Sequence, residues 1–174
     1  MAVSKLWKVT QRLGQVIDYA TNPEKTANPE YTQEEYQALK DVLAYAKDEE
    51  KTEREFFCEG INCNVSTARD QFITVKEQFD KTDGIQAYHG YLSFKENEVT
   101  SEQAQQIGME FANKMWGERF QVVVTTHLNT KHLHCHFVIN SVSFADGKRL
   151  QNKEKSWYLS LIHISEPTRR SYIS

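Results

Sequence analysis

Four of the six histidines fall within ten residues: His127, His132, His134 and His136. Side chains on an extended strand alternate between faces, so His134 and His136 share one face while Cys135 and Phe137 take the other. His127 closes the preceding apolar run FQVVVTT. If the two strands are neighbours, His127 meets the other two. Three imidazoles converging on one sheet surface make a divalent-metal site with positions left for water or substrate. All-nitrogen ligation leaves Zn, Mn and Mg open, and Cys135, on the opposite face, disfavours a cysteine-containing zinc site. His132 has the parity of His134 and His136. As a ligand, a phosphate contact or a turn residue it is chemically eligible, and a neighbour's role suits it best.

A metal needs something to act on. Tyr19 precedes the turn Asn22-Pro23-Glu24-Lys25-Thr26, in which Lys25 and Thr26 offer phosphate contacts. Tyrosine is a poor nucleophile at its ordinary pKa of about 10, so attack by Tyr19 needs help from a metal or a base. On chemistry alone Tyr31, Tyr36 and Tyr45 are equally eligible. Charge points the same way only locally. The whole chain has net charge −3, which argues weakly against a nucleic-acid partner. Residues 113–158, however, carry seven basic and three acidic side chains, a net +4 that coincides with the histidine cluster. A positive site inside an acidic chain is compatible with a polyanion.

Elements must position these groups. Ser4 to Thr10 reads as a first strand. Leu13, Val16, Ile17 and Ala20 recur at helical spacing, and that helix must stop before Pro23. Thr32 to Asp48 reads as a second helix, with Thr32 and Glu35 as a capping box. Phe56 to Cys63 reads as strand and loop. Ser66 to Phe79 reads as a helix capped by Ser66, with Phe72, Val75 and Phe79 on one stripe. Ile85 to Phe94 is aromatic and β-favouring. Ser101 to Trp116 is the clearest helix, with Ser101 as cap and Ala104, Ile107, Gly108, Phe111 and Met115 facing inward. Phe120–Thr126 and Leu133–Val142 are two buried strands, and Asp146-Gly147 is a hairpin signal. The order predicts an α+β fold with a mainly antiparallel central sheet flanked by helices.

The 174 residues suit one domain, and 39% hydrophobic with 26% charged residues excludes collagen-like or wholly disordered classes. Mean hydropathy is −0.66. No window approaches 18 apolar residues, so no membrane insertion is expected, and no secretory signal is visible. Three cysteines are an odd and sparse set; a disulfide framework is not expected, and a reducing cytoplasm is the default location.

In combination, three segments resemble the mobilisation relaxases, the HUH-type nicking domains of conjugative elements. VIDYATNPEKT, residues 16–26, resembles the family's nucleophile motif, which implies Tyr19 as the attacking tyrosine. CEGINCNVSTARDQF, residues 58–72, is similar to the second motif, a glycine-asparagine loop before a helix that lies along DNA, and implies Asn62 as a DNA contact. HLNTKHLHCHFVIN, residues 127–140, resembles the three-histidine motif. It implies His127, His134 and His136 as ligands, with Asn140 as the trailing asparagine. The family pattern often has Asp two residues after the first histidine; here that position is Asn129. YHGYLSF, EVTSEQAQQIG and WGERFQVVV add to a resemblance that spans residues 3–157.

The resemblance implies nicking of single-stranded DNA at an origin of transfer. Tyr19 would attack the scissile phosphodiester, the 5′ phosphate would pass to the tyrosine, and a 3′ hydroxyl would leave. The implied cofactor is Mg2+ or Mn2+, stabilising the phosphate charge. His132 is the suggested general base, and Lys131, Lys148 and Arg149 are the suggested DNA contacts near the site. Accessory relaxosome proteins and a coupling protein are the implied partners of the full-length protein. A non-catalytic metal-stabilised DNA-binding module and a rolling-circle replication initiator are the alternatives. Residues 159–174 resemble instead a translated sequencing-adaptor read-through. Residues 1–158 are therefore expected to be a truncated nicking domain and the remainder a non-native tail.

Overall fold

The computed structural model describes residues 3–22, 57–128 and 131–151. Lys25, Thr26, Asn129, the helix expected over Thr32–Asp48 and the tail lie outside the described residues. Strand β1 (Val3–Val9) leads into helix α1 (Leu13–Ala20). Strand β2 (Cys58–Ile61) is followed by a short 3-10 turn, Val65–Thr67, and helix α2 (Ala68–Gln78). Strand β3 (Ala87–Ser93), helix α3 (Ser101–Trp116), strand β4 (Val122–His127) and strand β5 (His134–Asn140) complete the order. The five strands form one sheet in the order β1-β3-β5-β4-β2, and every pairing is antiparallel. This is the expected α+β architecture.

Two layers of helix explain why β4 and β5 are buried along almost their whole length. On one face, α3 packs over Leu92, Val122, Val124, Cys135, Phe137 and Ile139. Phe111, Trp116 and Phe137 meet there with ring centroids 5.5–5.8 Å apart, a geometry worth about 0.5–1.5 kcal/mol per pair beyond area burial. On the other face, α1 and α2 cover Val9, Ala87, Val123 and Val138 with Leu13, Ile17, Ala20, Ala68 and Phe72. Both faces of the central strands are therefore apolar, which the continuous run VVV at the start of β4 reflects.

The helix starts differ from expectation by one or two residues. Thr100, not Ser101, caps α3: its side chain accepts from the Gln103 N–H, and the Gln103 side chain reaches back to the Thr100 N–H. Ser101 already belongs to the helix. Ahead of α2, Asn64 rather than Ser66 is the capping residue, and what it caps is the 3-10 turn: its Oδ1 accepts from the Ser66 N–H at 2.9 Å, while α2 itself follows Thr67 without a side-chain cap. In both cases the capping side chain sits on the last extended residue, where its oxygen can turn onto the first amides. Arg12, at φ 59°, turns the chain from β1 into α1. Asp146-Gly147 does close a turn, with Gly147 at φ 66° and Val142 bridged to Arg149.

Candidate active site

The strand alternation that buries Val123 and Val138 under α1 and α2 also brings polar residues to that face at one end of the sheet. In the β4–β5 register, His127 lies opposite His134, and Thr125 opposite His136. Ring centroids are 4.2 Å apart for His127 and His136, 4.9 Å for His134 and His136, and 5.2 Å for His127 and His134. One ligand nitrogen from each of the three lies within 4.8 Å of the other two. Cys135 lies on the opposite face, bonded to the Ala104 carbonyl under α3.

Each imidazole is held by a second group. His127 Nε2 lies 2.9 Å from the Ala20 carbonyl, which can only accept, so Nε2 carries the proton and Nδ1 keeps its lone pair. His134 Nδ1 lies 2.9 Å from the His132 carbonyl, leaving Nε2 as the lone-pair atom by the same logic. His136 Nδ1 lies 2.9 Å from Nε2 of His89, on β3. Fixing one ring nitrogen in this way is how proteins orient metal-binding histidines. Thr125 Oγ1 is buried beside the group, with no hydrogen-bond partner among the described residues. The three-histidine group fits a metal site in donor chemistry, spacing and orientation.

Tyr19 stands at the mouth of this group. It lies in the last turn of α1, off the buried Leu13–Ile17–Ala20 stripe, and is 48% exposed. Its ring centroid is 5.6 Å from that of His127, 5.8 Å from His136 and 6.4 Å from His89. The Ala20 carbonyl that holds His127 belongs to the next residue, so α1 is tied to β4 beside the tyrosine.

His89 and Trp7 were not singled out from the sequence. His89 is buried, and its ring packs on Trp7 at 4.5 Å. Desolvation, and secondarily the nearby His127, push its pKa down to about 4, so it is neutral at pH 7. Strand parity places His89 with Tyr91 on one face. Its meeting with His136 depends on the β3–β5 pairing, between strands far apart in sequence.

Several expected contacts lie elsewhere. Lys131 and His132 are exposed on the segment entering β5, next to the histidines. Asn62 follows β2 at the opposite end of the sheet. There its side-chain amide donates to the carbonyls of Gly117 and Phe120, stapling that loop to the end of α3. Asn140 is 0% exposed; it accepts from Lys76 and donates to Gln121 and the Phe72 carbonyl. Its role is to anchor α2 on the sheet, not to face a ligand. Lys148 and Arg149 also lie at the far end, where Arg149 pairs with Asp83 and Lys148 with Asp146. With Lys81, Lys114 and Arg119 they line a cavity of about 700 Å3 there. Much of the basic segment thus sits away from the histidines, because the turn after β5 begins at the other end of that strand.

The family model described as "Relaxase: MobA/VirD2-like, nuclease domain" matches residues 45–172. The chain belongs to that relaxase family. Relatives include two staphylococcal proteins named Protein rlx, from Staphylococcus aureus. One is 44% identical over 96 residues, covering 55% of this chain and 30% of the relative. The other is 42% identical over 96 residues, covering 55% and 29%. The Group II intron-interrupted relaxase LtrB of Lactococcus lactis subsp. cremoris is 25% identical over 169 residues, covering 82% of this chain and 30% of that protein. The relaxase chain therefore spans about 30% of the length of these relatives. Among its described residues, no helix is long and apolar enough to cross a membrane.

Proposed function

We propose that this relaxase chain carries the nicking centre of a DNA strand transferase acting on single-stranded DNA at an origin of transfer. The observation that carries the reading is the half-exposed Tyr19 ring standing 5.6–5.8 Å from His127 and His136, beside the three-histidine group. Tyr19 Oη attacks the scissile phosphorus, and the bond from phosphorus to the 3′ oxygen breaks. The 5′ phosphate becomes a tyrosyl phosphodiester, and the tyrosine's proton ends on solvent or the leaving 3′ oxygen by way of a base. His132, outside the ligand set, is proposed for that base. A divalent ion, Mg2+ or Mn2+, held by His127, His134 and His136 would supply charge to the non-bridging phosphate oxygens. Lys131 beside the site, and Lys25 and Thr26 after α1, are proposed to hold the flanking phosphates. Because one phosphodiester replaces another, the strand can be rejoined by reversal without a nucleotide cofactor. In the full-length protein the partners proposed are relaxosome accessory proteins and a coupling protein.

Single-stranded oligonucleotides tiled from the DNA flanking the gene, incubated with Mn2+, test this reading on a denaturing gel. A covalent protein–DNA adduct is expected, and Tyr19→Phe should abolish it. An adduct that survives Tyr19→Phe but not a change at another tyrosine would overturn the nucleophile assignment. DNA binding with no adduct in the unaltered chain would favour a non-catalytic binding module.

A further inference from the structure

On the histidine face, the sheet carries an aromatic row that the nicking reading does not use. Trp7 on β1 lies opposite His89 on β3, and Lys5 lies opposite Tyr91. Alternation puts all four on the face that holds His134 and His136. Trp7 packs against His89 at 4.5 Å and against Tyr91 at 6.1 Å, and Tyr91 in turn approaches His136 at 6.4 Å. The rings therefore run without a break from the metal-binding group to the edge strand. Trp7 is 36% exposed, one of the few large apolar side chains in that condition among the described residues. Lys5, two residues away on the same face, is exposed as well.

An indole that packs on His89 and Tyr91 yet keeps 36% of its surface exposed offers a stacking surface for a planar ligand. A cation beside it suits the phosphate of the same ligand. Aromatic side chains with an adjacent basic residue are how proteins hold single strands regardless of sequence. β1 is two strands from β5, about 10 Å across the sheet, so a nucleotide close to one at the histidines reaches it.

We propose that Trp7, flanked by Tyr91, is a base-stacking subsite for an unpaired nucleotide flanking the scissile phosphate, with Lys5 holding that nucleotide's phosphate. The proposal rests on the DNA reading given above. It assigns β1 a second role, as a rail that fixes the strand laterally while Tyr19 reaches the phosphate from α1.

The test is fluorescence anisotropy in EDTA with a labelled (dT)20 strand and a labelled 20-unit abasic backbone. Trp7→Leu keeps apolar packing on His89 but removes the π-face; Trp7→Phe keeps a π-face. Thermal melts report whether each variant is folded. Stacking of one base is worth about 1–3 kcal/mol, so Trp7→Leu should weaken (dT)20 binding about 5- to 150-fold and leave abasic binding unchanged. Trp7→Phe should retain most of the affinity. Lys5→Met should weaken both probes and reduce the salt slope by about one phosphate's share. Equal loss on both probes for Trp7→Leu, or no loss on (dT)20, would overturn the subsite while leaving the nicking reading standing. Failure of the unaltered chain to bind any single strand would overturn both.

Discussion

The His89–His136 contact decides how His136 would present itself to a metal. If His136 is to offer Nε2 to a metal, its proton must sit on Nδ1, and the group 2.9 Å away must accept it. Burial keeps His89 neutral, with its pKa near 4, so its Nε2 can accept. Removing that acceptor leaves the His136 tautomer undetermined. His89→Phe should therefore weaken Mn2+ or Zn2+ binding, read by calorimetry, by about 10- to 100-fold. His89→Gln restores a carbonyl acceptor near the same place and should recover part of the loss. Equal affinity in all three forms would deny His89 this orienting role. The three clustered histidines were legible from sequence because their spacing matches strand parity. His89 was not, because its partner lies 47 residues away on a strand it meets only through the sheet order. The misplaced Lys148 and Arg149 share that cause: nearness in sequence to the histidine motif says nothing about which end of a strand a loop leaves from.

At the scale of elements, the β2–α2 connection is held by a close backbone approach. A Cβ on Gly60 would lie 2.0 Å from the Cys63 carbonyl oxygen, a clash with main chain that no rotamer relieves. Gly60→Ala should lower the melting temperature by several degrees, consistent with a loss of about 2 kcal/mol or more from a strained or displaced loop. A melting temperature unchanged from the parent would show that the loop yields freely. At the start of α3, Thr100→Ala removes one half of the capping box and should cost about 1 kcal/mol in denaturant unfolding. Element types among the described residues were readable because periodicity differs so clearly between α3 and β4. The caps were misplaced by one or two residues because Thr100 and Ser101 are both good capping residues, as are Asn64 and Ser66. The choice falls to whichever has the extended backbone.

At the scale of the whole molecule, α2 is anchored through a buried cation. Lys76 is 1% exposed, with its ammonium on the Asn140 side-chain oxygen at 2.6 Å and on the Phe72 carbonyl. Desolvation, and then Arg149, push its pKa from 10.5 down to about 8. The unfolded chain thus holds a proton on Lys76 between pH 8 and 10.5 that the folded chain has released, so folding stability should rise with pH across that window. Cys135, whose thiol burial pushes from 9.0 up to about 12, acts in the opposite direction above pH 9. The measurement is therefore a comparison of urea midpoints between pH 7 and 9.5. The parent should gain on Lys76→Met as pH rises, and a constant difference would exclude the lysine. The sheet order carries a consequence in time. β5 is the last of the five strands along the chain, yet it lies between β3 and β4. During synthesis Tyr19 emerges 117 residues before His136, on the order of ten seconds earlier at ribosomal speed. Until β5 arrives, the β1–β3 and β2–β4 pairs have no strand to join them, each with a bare edge that invites mispairing. A nascent chain therefore carries Tyr19 long before His134 and His136 can stand beside it, and the strand that brings those two histidines is also the one that closes the sheet.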